Sequence, residues 1–326
     1  MVNDDNPFAS LDFTCVKEAR PPLPTDTQQL YNYALYQDLH NLWNGEDGDK
    51  VWQEAAVYYR IAAANGDYKA NTRLQYLIKD GRVKVKKPQT EVYNLNKLLE
   101  SQLPATAFYN LSNYLKDGYG VTTQKNGHYA YLRKAADMGS REAQYTLAKI
   151  FLSIEDKASL QFRLKVGDKL FACASEQGLP EASEELGLSL QIDKKYSEAV
   201  KVFHQGTKNG NALSARRLMK AFSGKASNKH GRFSDSLDLS ADLERSKRYD
   251  MIENYLYNND FLHPKVPDLD EIVPLPPARL PAWDGKIAFQ RWFEGPSPAK
   301  PSDELMQQLA EKAGLDVKTG LPLKKR

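Results

Sequence analysis

Apolar positions across residues 28–224 recur at three- and four-residue steps, in runs that break at glycine and small residues. Trp52, Ala55, Ala56, Tyr59 and Ala63 make one such stripe, the pattern of a helix with a single buried face. Gly66 follows, where a left-handed residue would end that helix, a conformation glycine adopts at little cost. Ala70, Leu74, Leu77 and Ile78 resume the stripe on a second helix, which Asp80-Gly81 stops.

The block repeats. Ala63-Ala64-Asn65-Gly66-Asp67-Tyr68-Lys69-Ala70 aligns with residues 135–143 and 174–182, and more loosely with 207–215. The turn glycines Gly66, Gly139, Gly178 and Gly210 are spaced 73, 39 and 32 residues apart. A degraded copy, Leu103-Pro104-Ala105-Thr106-Ala107, divides the widest gap into 37 and 36, with Leu103 standing where glycine would be. A period in the mid-thirties belongs to two-helix repeats. Around Gly139, Tyr129, Leu132, Ala135 and Ala136 lead into the turn, and Ala143, Leu147, Ala148 and Phe151 leave it. A hairpin this small cannot bury its own apolar face, so neighbours must stack. The expected fold class is all-α.

Proline marks the boundaries. Of 17 prolines, ten lie from Pro264 onward and only three between residues 25 and 263. Because proline breaks helices, the chain divides into an arm, a helical body (27–262) and a tail, and the extent of the repeats splits that body, making four parts. These are an extended arm (1–26), a repeat body (27–224), a capping helical region (225–262) and a Pro-rich tail (263–326). Within the tail, Ser302 through Gly314 has the caps of a short helix, expected to pack the end of the repeat array.

Composition narrows the function classes. The chain is 41% hydrophobic and 27% charged, an ordinary folded balance, and its formal charge of +3 is no footprint for nucleic acid. No stretch is apolar and long enough for a membrane-spanning helix. The opening Met1-Val2-Asn3-Asp4-Asp5 lacks the basic and apolar regions of an export signal. That leaves a cytosolic protein or a chain whose targeting segment was replaced.

Chemistry is sparse. His263-Pro264-Lys265 with Asp270 fits H-x-K-x-x-x-x-D, the phosphodiester-cleaving pattern in which histidine attacks phosphorus. That chemistry needs two facing motifs, and none of His40, His128, His204 or His230 begins a second. The match reads as chance or structural. The five histidines read as core or surface residues, and no catalytic residue, metal or cofactor is expected.

The pattern A-A-x-x-G-x-x-x-A resembles the Sel-one-like repeat, the longer relative of the tetratricopeptide repeat. Its best copy runs from Tyr114-Leu115-Lys116-Asp117-Gly118-Tyr119-Gly120-Val121 to Tyr131-Leu132-Arg133-Lys134-Ala135-Ala136. The resemblance implies a right-handed α-solenoid with an inner binding groove. Outside the repeats, four segments are similar to one bacterial subgroup: Phe13 through Glu18 with Pro21-Pro22-Leu23, Pro264 through Pro277, Trp283-Asp284-Gly285, and Lys318 through Leu323. That subgroup resembles periplasmic immunity proteins that neutralise phospholipase D-class effectors of type VI secretion. The resemblance therefore implies a non-enzymatic inhibitor whose partner is a cognate toxic phospholipase. It also implies a periplasmic location, with the cytoplasm as the alternative. A scaffold or adaptor for other proteins is the alternative function. Oligomeric state stays open.

In an oxidising compartment Cys15 and Cys173, 158 residues apart, could form one disulfide pinning the arm to a repeat helix; otherwise Cys173 is a buried thiol beside a free Cys15. Fourteen of 18 tyrosines lie between Tyr31 and Tyr145. Adjacent tyrosines such as Tyr58 and Tyr59 point about 100° apart, so some must line a surface, and tyrosine is enriched at protein interfaces. Tyr31, Tyr58, Tyr59, Tyr93 and Tyr109 are the candidate partner-binding residues. Asp268, Asp270 and Glu271 join them, either as a solvated strap on the last repeat or as a phosphate mimic entering an electropositive site.

Overall fold

A computed structural model describes residues 11–224 and 237–323. Among them are fifteen α-helices and no strand; one isolated bridge joins Leu315 and Pro322. Helix α1 (Thr25–His40) precedes five helix pairs, each joined by a short turn. They are α2 (Asp49–Ala64) with α3 (Tyr68–Lys79), α4 (Pro88–Glu100) with α5 (Pro104–Asp117), and α6 (His128–Asp137) with α7 (Arg141–Ser153). Next come α8 (Leu160–Glu176) with α9 (Pro180–Ile192), and α10 (Tyr196–Lys208) with α11 (Ala212–Phe222). Then follow α12 (Leu243–Asn258), α13 (Leu269–Ile272), α14 (Ala288–Glu294) and α15 (Asp303–Lys312). The fold class is all-α, and no described helix is long and apolar enough to cross a membrane.

Local chemistry sets the turns. Gly66, Gly139, Gly178 and Gly210 all have positive φ, between 83° and 107°. Gly210 is doubly constrained, because a β-carbon there would lie 2.2 Å from the Pro264 carbonyl oxygen. Asp67, Ser140 and Asn211 start the second helix of their pairs, accepting from the backbone N–H of Ala70, Ala143 and Ser214.

The chain divides into two compact units. One comprises Glu18–Met138 with Pro296–Arg326. Its core joins Trp52, Ala56, Tyr59, Leu74, Leu77 and Val92 to Met306, Leu309 and Ala310 of α15. The tail helix thus packs on α2 of the first pair. Its apolar stripe finds partners there, and Asn65 fixes it by donating to the Leu309 carbonyl at 2.9 Å. The loop after α15 closes on itself through Gly320 N–H to Asp316 O (2.7 Å) and Leu323 N–H to Gly314 O (3.1 Å). Tyr129, expected in the apolar stripe of α6, is exposed, while Leu132, Ala135 and Ala136 of that stripe are buried.

The other unit comprises Met1–Lys17 with Gly139–Gly295. Cys15 and Cys173 form a disulfide with 5.6 Å between their α-carbons. Gln144 donates to the Val16 carbonyl (2.8 Å), and Lys17 pairs with Glu176 (2.6 Å), so the arm lies along α7 and α8. Helix α12 packs on α11, burying Phe222, Tyr249, Ile252 and Leu256. Residues 264–273 lie over α10, with Val266 N–H donating to Lys208 O at 2.9 Å. Prolines further along this segment offer no N–H, so its carbonyls hold it. Buried Arg248 donates to Ile272 O (2.7 Å) and Pro281 O (2.8 Å), and Arg245 donates to Pro274 O (3.0 Å). The expected arm and capping region include residues 1–10 and 225–236, with His230 among the latter, which lie outside the described residues.

Candidate interaction face

The candidate tyrosines all belong to the unit built on α1–α5, but they play different parts. Tyr59 is fully buried, and its hydroxyl donates to Asp38 at 2.6 Å. Asp38, also buried, receives a two-point contact from Arg73 at 2.8 and 2.5 Å. Tyr59 is therefore corrected from partner residue to core residue: it completes the α2 stripe of Trp52, Ala55 and Ala56, and its hydroxyl helps satisfy a buried carboxylate. Tyr31 packs against it with ring centroids 6.1 Å apart, and burial pushes the Tyr31 hydroxyl up to about 12.

Tyr58 turns to the other side of α2. It is half-buried, meets Tyr33 edge to face at 5.1 Å, and is also pushed up by burial to about 12. Together with Gln37, Glu54, Asp303 and Gln307, these two rings line a cleft of about 470 Å³. Tyr93 on α4 is 38% exposed, and Tyr109 on α5 is half-buried. Of the five tyrosines, Tyr93 is exposed, Tyr31, Tyr58 and Tyr109 are half-buried, and Tyr59 is buried in the core.

A larger cleft of about 820 Å³ lies between α2, the loop ahead of α4, α4 itself and the loop after α15. Sequence reasoning did not find it. Its walls are contributed by residues more than two hundred positions apart: Arg60 reaches across to donate to Thr319 O at 3.1 Å. The available signal was the run Lys84-Val85-Lys86-Lys87, three lysines around one apolar residue.

The acidic candidates sit in the other unit and are largely spoken for. Asp268 accepts through one oxygen from the Ala288 N–H (2.9 Å) and from Arg291 (3.5 Å). Asp270 is bound by Lys208 and by His204 Nε2 (2.8 Å); the Lys208 hydrogen bond first, then His204, hold its carboxyl below the usual range. Glu271 is exposed. The strap is thus fastened to α10, with its Val266, Leu269, Ile272 and Val273 buried and Leu269–Ile272 helical, and two of its three acids, Asp268 and Asp270, are engaged within the fold. The aspartate of the H-x-K-x-x-x-x-D match is this same Asp270, held by Lys208 and His204. Among the described residues, no group of three His, Cys, Asp or Glu side chains is placed to hold a metal ion.

A family model described as a domain of unknown function (DUF6396) matches residues 214–323. No curated protein matches the chain. Solved structures from Pseudomonas aeruginosa do. The immunity protein PA5088 is 22% identical with a TM-score of 0.57, over 81% of this chain and 94% of its own. The immunity protein Pa5087 is 22% identical with a TM-score of 0.53, over 81% and 95%. The protein PA5086 is 23% identical with a TM-score of 0.54, over 82% and 95%. The likeness is one of fold, and it takes in nearly the whole of each of those chains.

Proposed function

We propose that this chain is an immunity protein that binds a toxic effector and blocks it sterically, without catalysis of its own. The observation that carries the reading is the shared fold with two proteins named as immunity proteins, spanning 94% and 95% of their lengths. A fold alone does not assign function, but these partners share more than a repeat: at that coverage the likeness reaches past the hairpins into the extensions. The half-buried tyrosines and the two clefts on the α1–α5 unit are the kind of surface such binding uses, with aromatic anchors and adaptable polar neighbours.

The effector we assign is a phospholipase D-class enzyme delivered by type VI secretion, on the resemblance of the arm and tail segments. Blocking such an enzyme requires only that its active site or its membrane-facing surface be covered, so affinity from buried aromatics is sufficient and no reactive group is needed. We place the protein in the periplasm. A disulfide closing 158 residues is stable in an oxidising compartment and is rare in the cytosol, which supports that location.

The test is to mix the purified protein with a candidate phospholipase D-class effector and measure both complex formation and phosphatidylglycerol hydrolysis. A stable complex without lipase activity is expected. A lipase that binds but keeps full activity points to a scaffold, and one that does not bind removes the immunity reading.

A further inference from the structure

We infer that the 820 Å³ cleft of the α1–α5 unit seats an acidic, apolar-faced peptide segment of a protein partner; this rests on the reading of the chain as a binding protein. Its floor is apolar: Val57 and Ala64 of α2, Leu95 and Leu98 of α4, and Leu315 and Leu321 of the C-terminal loop. Leu98 and Leu321 are 38% and 41% exposed, so apolar surface stands open to water at the mouth.

Its rim is cationic. Lys86 and Lys87 precede α4, and Lys318 belongs to the C-terminal loop. Among the described residues none of these three has an acidic partner, whereas neighbouring Lys84 pairs with Asp49 and Arg60 with Glu91 at 2.8 Å. The chain as a whole carries only +3, so a concentration of unpaired lysines around one apolar floor is local and not a by-product of a basic protein. Like charges held together at a surface are unfavourable until an opposite charge arrives, and they accelerate the approach of one. The lysines rise from two separate segments. Carboxylates spaced along a peptide, with apolar residues between them to meet the floor, can engage both segments at once.

The cleft is preformed. Gly320, at φ +66°, sits so close to α2 that a β-carbon would lie 2.8 Å from Arg60 Cβ and 3.1 Å from Val57 O. Arg60 holds Thr319 O, and Asn65 holds Leu309 O. A wall fixed this way loses little freedom when a ligand arrives.

The experiment uses the full chain, its Lys86→Glu/Lys87→Glu/Lys318→Glu variant, and a control reversal at Lys201, an exposed lysine of the other unit. Circular dichroism verifies that each folds. Binding is read with a fluorescein-labelled peptide bearing Leu at every third and fourth position and Glu between them, and separately with the phospholipase. We expect the triple variant to weaken peptide binding at least thirtyfold and effector binding at least tenfold, with the control within twofold of wild type. Peptide binding that the triple variant retains, or that wild type lacks, overturns the inference. Binding of anionic phosphatidylglycerol vesicles in place of the peptide also overturns it. An effector that still binds the triple variant at full strength rejects the cleft while leaving the immunity reading intact. An effector that binds neither form rejects the immunity reading, and the peptide result then decides the cleft by itself.

Discussion

Glu18 caps a helix that begins far down the chain. One carboxylate oxygen accepts the N–H groups of Ala105 (2.7 Å) and Thr106 (3.2 Å), and the other accepts the Thr106 hydroxyl (2.5 Å). In the first, third and fifth pairs the residue before the second helix does this itself, as Asp67, Ser140 and Asn211. The second pair has Leu103 there, which has no acceptor. The arm supplies from outside what the degraded repeat lost, with a negative charge suited to the positive end of α5.

Glu18→Ala should therefore lower stability by about 1–2 kcal/mol, the cost of deleting an N-cap. Glu18→Gln keeps an acceptor and loses the charge, so it should fall between. Urea unfolding of the three proteins measures this, and an alanine variant equal to wild type would show the contact to be idle.

The repeat rhythm was readable because its punctuation is local. A positive φ at the turn admits glycine with least strain, and small residues beside it let two helix backbones approach. Even the copy with Leu103 kept the period. The burial of Tyr59 beside the turned-out Tyr58 was readable from the stripe that runs through Trp52, Ala55, Ala56 and Tyr59; what no local pattern showed is its partner Asp38, 21 positions away, whose buried carboxylate takes the hydroxyl. The destination of the tail was not readable at all. Asn65 and Leu309 are 244 positions apart, and no local pattern says which apolar helix face a short amphipathic segment will choose.

Tyr58 and Tyr59 should separate binding from stability. Tyr59→Phe leaves the buried Asp38 carboxylate short of one donor, so a loss of about 1–3 kcal/mol is expected with partner affinity unchanged. Tyr58→Ala forfeits an edge-to-face ring pair worth about 0.5–1.5 kcal/mol and should weaken effector binding by tenfold or more. Melting and titration of both variants are the check. Equal affinity for Tyr58→Ala and wild type would exclude that ring from the interface.

Gly210→Ala should be far more damaging than Gly81→Ala. Both glycines have positive φ, but a β-carbon at Gly81 meets nothing within 4 Å, whereas at Gly210 it strikes the Pro264 carbonyl. Gly81→Ala should cost about 1 kcal/mol from backbone strain alone. Gly210→Ala adds displacement of the strap, and limited proteolysis near residue 265 should expose it. Equal costs at the two sites would mean that the strap yields freely.

Reduction should loosen the arm. The Cys15–Cys173 bond closes a loop of 158 residues, for which chain entropy sets a ceiling of about 5 kcal/mol, with 2–4 kcal/mol typical. Dithiothreitol is expected to lower the unfolding midpoint and to raise hydrogen exchange in α8. Thiol counting on the denatured, unreduced protein should find no free cysteine. Two reactive thiols there would contradict the bond.

Acid should loosen the strap through His204. Its Nε2 lies 2.8 Å from Asp270 Oδ1 and its Nδ1 2.7 Å from the Tyr249 hydroxyl. Ionised Asp270 can only accept, so Nε2 carries the proton and Nδ1 accepts from the hydroxyl of Tyr249, which burial keeps protonated. Burial, and to a smaller degree the positive charge of Lys208, lowers the pKa of the imidazole, and Asp270 only partly opposes that. The unfolded chain therefore takes up a proton near 6.5 before the folded one does. The histidine's contribution is fully present above that value and is lost as pH falls below it toward the lower folded pKa. Asp270, with a depressed pKa of its own, adds a second loss below about 3.8. Urea midpoints measured from pH 8 to pH 4.5 should fall on the acid side of 6.5, and His204→Gln, which retains a donor and an acceptor without titrating, should flatten that slope. A variant whose midpoint falls with pH as steeply as wild type would assign the acid sensitivity to another group.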